Sequence, residues 1–230
     1  MKKLVLLATS LLLLQACKND VKTSEDLSET TTTETPTEKT TAQKIAAANG
    51  FENWKEVSEL NFTFNVDRGE DNHYERSWTW NPKTNEVIMV TPNGRVEFDR
   101  DSLNEKTRGA DASFINDKYW LMAPFHLVTD EGTTISEEEN VLAPLSKKEL
   151  DKITLTYGPE GGYTPGDAYD FYYDDDFMVN EWTFRKGNDS VPSMMTTWED
   201  YEDFNGLKFA KMHQDSTGGF KLYFTNISVK

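Results

Sequence analysis

Three histidines, His73, His126 and His213, carry the broadest chemical repertoire in this chain, because an imidazole can ligate a metal or move a proton near neutral pH. No two of them stand at metal-ligand spacing and no H-x-x-x-H occurs, so hydrogen-bonded or surface histidines are expected, and no metal. Asp174-Asp175-Asp176 would suit calcium chemically. The alternating ladder of acids with a distal Glu is missing, so three acids between Tyr173 and Phe177 read as a hairpin turn. Gly158-Pro159-Glu160-Gly161-Gly162 is glycine-rich, but neither a lysine nor a helix start follows, which makes it a loop rather than a phosphate cradle. Glu199 and Asp200 are adjacent acids with no visible partner across a cleft. The abundance of acids leaves a glycosidase-type pair open. No G-x-S-x-G marks a nucleophile. The expectation is a protein that is not an enzyme and needs no cofactor.

The single cysteine, Cys17, has a different chemistry in view. Lys2 and Lys3 precede an apolar run from Leu4 to Leu14, and Gln15-Ala16 leads into the cysteine. A basic start, a short apolar centre and a small residue before the cut make a secretory signal. The run of 11 residues falls short of the ~20 that span a bilayer. A cut before a cysteine resembles a bacterial lipoprotein signal. That resemblance implies removal of residues 1–16 and acylation of Cys17, which would tie the protein to a membrane; two or more acyl chains anchor stably where one does not. Lys18-Asn19-Asp20 partly resembles the export signal that sends some Bacteroidota lipoproteins to the cell surface. An outer-membrane lipoprotein is expected, on the periplasmic face or the cell surface. With one cysteine no internal disulfide can form, so an apolar core must carry the fold.

Residues 17–41 read as the lipidated cysteine and a tether. Thr, Glu and Ser dominate it, and it holds too few apolar residues to offset the entropy of ordering. Such a coil of about 24 residues reaches roughly 25–30 Å. From residue 42 the pattern changes. Ala-rich Thr41-Ala42-Gln43-Lys44-Ile45-Ala46-Ala47-Ala48 is a short helix, capped by Thr40 or Thr41 and stopped by Gly50. Period-two alternation follows, with Leu60, Phe62, Phe64 and Val66 on one face, and then Tyr74, Trp78 and Trp80. Turns at Asn81-Pro82-Lys83-Thr84-Asn85 and Pro92-Asn93-Gly94 separate further strands. About ten or eleven short antiparallel strands in one domain, 42–230, are the economical reading. Residues 111–128 break the rhythm: a helix or two is expected there, then an irregular apolar segment from Pro124. Glu137 to Glu139 read as loop.

Composition narrows the partners. The 24 basic against 40 acidic residues give a formal charge of −16, so nucleic acid and anionic surfaces are repelled. Six tryptophans accompany 13 phenylalanines and 9 tyrosines. These aromatics either fill the core of a sheet or line a cavity left by a curved one, and the residues alone leave both readings open.

The order of elements adds a resemblance. Gly50 and Trp54 follow a short helix. Then come a strand run, the apolar segment Tyr119-Trp120-Leu121-Met122-Ala123-Pro124-Phe125-His126-Leu127, Asp167-Ala168-Tyr169, and Thr197-Trp198-Glu199-Asp200-Tyr201 with Asn205-Gly206-Leu207-Lys208-Phe209. This resembles the LolA/LolB-type half-barrel proteins of bacterial envelopes and related Bacteroidota lipoproteins, over residues 42–230. The resemblance implies a mainly β fold: a single curved antiparallel sheet forming an open half-barrel, with an N-terminal helix and a helical lid at 111–128. It also implies a cavity for acyl chains. The expected function is a membrane-anchored, monomeric protein that binds a lipid or an acylated polypeptide, with Phe62, Phe64, Trp78, Trp80, Trp120, Leu121, Phe125, Trp182 and Trp198 as ligand-binding residues. The rival is an envelope interaction or glycan-binding protein with exposed aromatic platforms and no lipid cavity.

Overall fold

The structure, a computed structural model, describes residues 38–230. Cys17, the signal segment and the tether up to residue 37 lie outside the described residues.

Helix α1 (Thr41–Ala48) starts where the sequence offers a cap. The Thr40 hydroxyl accepts the Gln43 amide and the Gln43 side chain accepts the Thr40 amide, a reciprocal capping box. Ordered structure therefore includes the last residues assigned to the tether. Gly50 ends the helix at φ 83°, and a Cβ there would sit 1.9 Å from the Gly206 carbonyl oxygen. Asn53 Nδ2 donates to that same carbonyl at 2.9 Å, stitching the N-terminal segment to the turn at Asn205-Gly206. A 3₁₀ turn, Phe51–Glu56, then leads into the sheet.

Twelve strands follow, all paired antiparallel. The first four are β1 (Leu60–Arg68), β2 (Asn72–Trp80), β3 (Glu86–Thr91) and β4 (Gly94–Asp99). Helix α2 (Arg108–Thr129) comes next, then β5 (Thr133–Leu142), β6 (Glu149–Tyr157), β7 (Ala168–Tyr173) and β8 (Val179–Arg185). The last are β9 (Met194–Thr197), β10 (Glu199–Phe204), β11 (Leu207–Gln214) and β12 (Phe220–Val229). Their order is β10-β11-β12-β1-β2-β3-β4 in one sheet and β5-β6-β7-β8-β9 in the other. The fold is thus mainly β, antiparallel and open, as the sequence predicts. The hydrogen-bond ladder divides into two where the single half-barrel sheet was expected. The chain passes from one to the other through Trp198, whose amide donates to the Asn180 carbonyl on β8 at 2.8 Å. The Gln214 amide on β11 reaches Thr197 Oγ1 on β9 at 3.1 Å, so the sheets stay joined at this seam.

Strand β1 shows how alternation becomes structure. Leu60, Phe62, Phe64 and Val66 are buried on the inner face. The other face is polar yet also covered: Asn65 Nδ2 donates to the Tyr223 carbonyl and to Thr225 Oγ1, and Thr63 meets Ser77 at 2.8 Å. These partners satisfy polar groups that would otherwise be costly to bury.

Two elements differ from expectation. β5 runs straight through Glu137 to Glu139, which the sequence suggests as loop; it is an edge strand with most side chains in water, so it has no apolar period to read. Helix α2 continues through Pro124 instead of ending before it. Pro124 lacks the N–H that would bond back, and the helix kinks at Met122 (φ −119°, ψ 16°) rather than breaking. Burial of residues 120–127 outweighs the lost hydrogen bond. No helix among the described residues is long and apolar enough to cross a membrane.

Candidate functional site

The two sheets and α2 leave a cavity of about 670 Å³ between them, within the ~300–1,000 Å³ typical of small-molecule sites. β1 contributes Phe64 and Val66, and β12 contributes Phe220 and Leu222. The second sheet supplies Tyr157, Tyr169, Trp182, Phe184 and Met194, while α2 presents Ala112, Ile115, Tyr119 and Trp120. Period two on the strands and turns of helix on α2 aim these side chains at one space.

One end of the cavity opens to solvent. Along the inner face of β1, exposure rises from 3% at Phe64 to 8% at Val66, and Arg68 at the strand end is exposed. Arg68 lies over the Phe220 ring of β12, 5.3 Å from its centroid. The glycine-rich loop of residues 158–166 also comes to the cavity through Gly162, Tyr163 and Thr164. Tyr163 donates its hydroxyl to Asp111 Oδ2 at 2.5 Å, and Arg100 Nε holds the other oxygen of that carboxylate at 2.8 Å. The loop therefore has one tyrosine tying it to the first turn of α2, and that tyrosine is half exposed.

A polar cluster lies in the otherwise aromatic wall. Asp130, just past α2, accepts from His126 Nδ1 at 2.7 Å, from Thr129 at 3.0 Å and from the Tyr157 hydroxyl at 2.5 Å. Burial disfavours the Asp130 charge, but the hydrogen bonds, led by His126, prevail and bring its pKa down to about 2. Burial, reinforced by nearby Lys118, lowers His126 and keeps its imidazole neutral near pH 7. Tyr157 is raised by burial and by Asp130. Lys118 is partly buried; desolvation, with Arg100 close by, lowers its amine to about 8. Its Nζ lies 5.6 Å from the Trp80 ring centroid. Among the described residues, neither Lys118 nor Arg68 forms an ion pair. The lining contains no serine or cysteine.

Of the nine ligand-binding residues suggested by the sequence, the structure brings Phe64, Trp120 and Trp182 to the cavity wall. The other six pack elsewhere. Phe62 meets Phe224 within the core. Trp78 packs on Phe114 and donates Nε1 to Asp117, which also receives a two-pronged hydrogen bond from Arg76. Trp80 lies between Trp54 and Phe114. Leu121 is 1% exposed, and Phe125 packs on Phe51 and Phe209. Trp198 packs on Trp120 and His213 at the seam between the sheets.

Helix α2 is buried from Trp120 to Leu127 and covers one side of the cavity with Ala112, Ile115, Tyr119 and Trp120. Sequence reasoning missed Arg68, Ile115, Asn116, Lys118, Asp130, Tyr157 and Tyr163 as lining residues. The i,i+4 spacing of His126 and Asp130 was the legible signal. No tryptophan is exposed, and among the described residues the exposed aromatics are Tyr74 and Tyr163. Tryptophan platforms for a glycan are therefore not presented.

No protein-family model matches the chain, and no curated protein does. Among solved structures, the chain is similar to a LolA superfamily protein from Nitrosomonas europaea, at 10% identity and a TM-score of 0.47, covering 84% of this chain and 94% of that one. It is also similar to a putative outer membrane lipoprotein-sorting protein domain from Vibrio parahaemolyticus, at 7% identity and a TM-score of 0.47, covering 83% of this chain and 91% of that one.

Proposed function

We propose that this protein binds a hydrophobic ligand, a lipid or an acylated polypeptide, in the cavity between the sheets, while an acylated Cys17 holds it on an envelope membrane. One observation carries the reading: an apolar, aromatic-walled space of about 670 Å³ that opens at the Arg68 end. At ~30 Å³ per heavy atom, by analogy with the liquid volume of water, it has room for on the order of twenty heavy atoms. Burying their apolar surface supplies the affinity, at about 25 cal/mol per Å² as an upper guide. Tether composition supports a domain that stands clear of the head groups to meet its ligand.

Native mass spectrometry of the purified Cys17→Ser chain tests this directly. A co-purifying lipid, or uptake of an added fatty acid in a ratio of one to one, is the expected result. A bare protein that takes up no amphiphile would overturn the reading.

A further inference from the structure

The charges in the cavity wall point to the kind of head group it accepts, an inference that rests on the binding reading above. Asp130 is the one carboxylate in the lining, and its oxygens are already engaged by His126, Thr129 and Tyr157. Asp111, beside the cavity, is likewise held by Arg100 and Tyr163. The two cations of the lining are in the opposite state, since neither Arg68 nor Lys118 has an ion-pair partner among the described residues. That is unexpected in a chain with 40 acidic and 24 basic residues, where carboxylates for pairing are abundant. Arg68 ends the inner face of β1, so its guanidinium stands where the apolar wall meets water. Lys118 is on α2, one residue before the wall residue Tyr119. A half-buried ammonium is costly: burial, with Arg100 nearby, depresses this one, and the more distant charges of Asp130 and Asp111 offset that only in part.

We propose that the ligand is an amphiphile with an anionic head, a carboxylate or a phosphate monoester, whose chain lies against Phe64, Leu222 and Ile115 while Arg68 at the mouth meets the head and Lys118, deeper in the wall, attracts it from a distance. The guanidinium offers a fork matched to either oxyanion, and the flexible lysine adds a point charge.

The test compares three ligands of one chain length, decanoic acid, decyl phosphate and decanol, by displacement of an uncharged fluorescent dye from the Cys17→Ser chain at pH 7. Decanoic acid, decyl phosphate or both should compete about tenfold better than decanol, the gain of one charge-assisted contact. Which of the two wins identifies the head. Arg68→Gln and Lys118→Met should each shrink that ratio severalfold, whereas Arg95→Gln, on the outer strand β4, should leave it alone. Equal affinity for all three ligands overturns the head-group inference and leaves hydrophobic binding standing. An acid preference that survives both substitutions overturns the assignment to Arg68 and Lys118. Failure of all three ligands to displace a bound dye, together with a bare protein in native mass spectrometry, overturns the binding reading itself.

Discussion

His213 lies on β11 with no exposed surface, between Trp198, Trp120 and Phe224. Burial drives its pKa down to about 3, opposed by a hydrogen bond to the Thr197 carbonyl. The neutral ring is part of the seam between the sheets, and the sign of its effect follows. Below the unfolded value near 6.5 the unfolded chain binds a proton that the folded chain refuses, so stability present above pH ~6.5 is lost as pH falls toward 3. The slope should approach ~1.4 kcal/mol per pH unit between pH 6 and 4. Urea denaturation at several pH values should show it, and His213→Leu should flatten it. His126, also lowered by burial, adds a slope of the same sign, so the difference between wild type and variant isolates His213. An unchanged slope in the variant would mean that the ring reaches water and titrates normally.

At the scale of elements, α2 has two kinds of apolar residue. Leu121 is buried in the core, and Phe125 packs there against Phe51, Trp54 and Phe209. Ile115 is partly exposed and faces the cavity. Leu121→Ala and Phe125→Ala should each cost about 2–5 kcal/mol of stability, the range for emptying a core site, while the folded fraction binds an apolar dye normally. Ile115→Ser should do the reverse, weakening dye binding severalfold with little change in stability. Chemical denaturation paired with dye titration decides it. Weak binding after Leu121→Ala in a fully folded protein would mean that Leu121 meets the ligand. The kink at Met122 belongs to the same element; Trp120 before it lines the cavity and Phe125 after it packs on Phe51.

For the whole molecule the questions are anchoring and where the folded part begins. Cys17→Ser should move the protein from the membrane fraction to the soluble fraction, because the acyl acceptor is gone. A variant that still needs detergent for release argues for a different anchor. Deleting residues 23–37 should leave the unfolding midpoint within error, given their polar composition. Extending the deletion through Thr40 removes the capping box of α1 and should cost about 1 kcal/mol. Equal stability of the two truncations would show that α1 does not need its cap.

Alternation in Leu60, Phe62, Phe64 and Val66 determined a strand and its inner face, because side chains of a strand change sides at every residue. Local turn chemistry was equally legible. Asp174 accepts the amides of Asp176 and Met178 in the β7–β8 hairpin, and Thr91 pairs with Gly94 around Pro92-Asn93. The mainly β class and the capped N-terminal helix follow from such short-range rules. Depth along a face does not. Phe62 and Phe64 share one side of β1, yet only Phe64 reaches the cavity, since that depends on how far α2 and the second sheet reach across it. β5 escaped notice because an edge strand in water needs no apolar period. The split of the ladder at Trp198 and the reach of Tyr157 to Asp130 join residues distant in sequence. These are consequences of packing, and packing is settled by the volume and charge of neighbours that the chain brings together only when it folds.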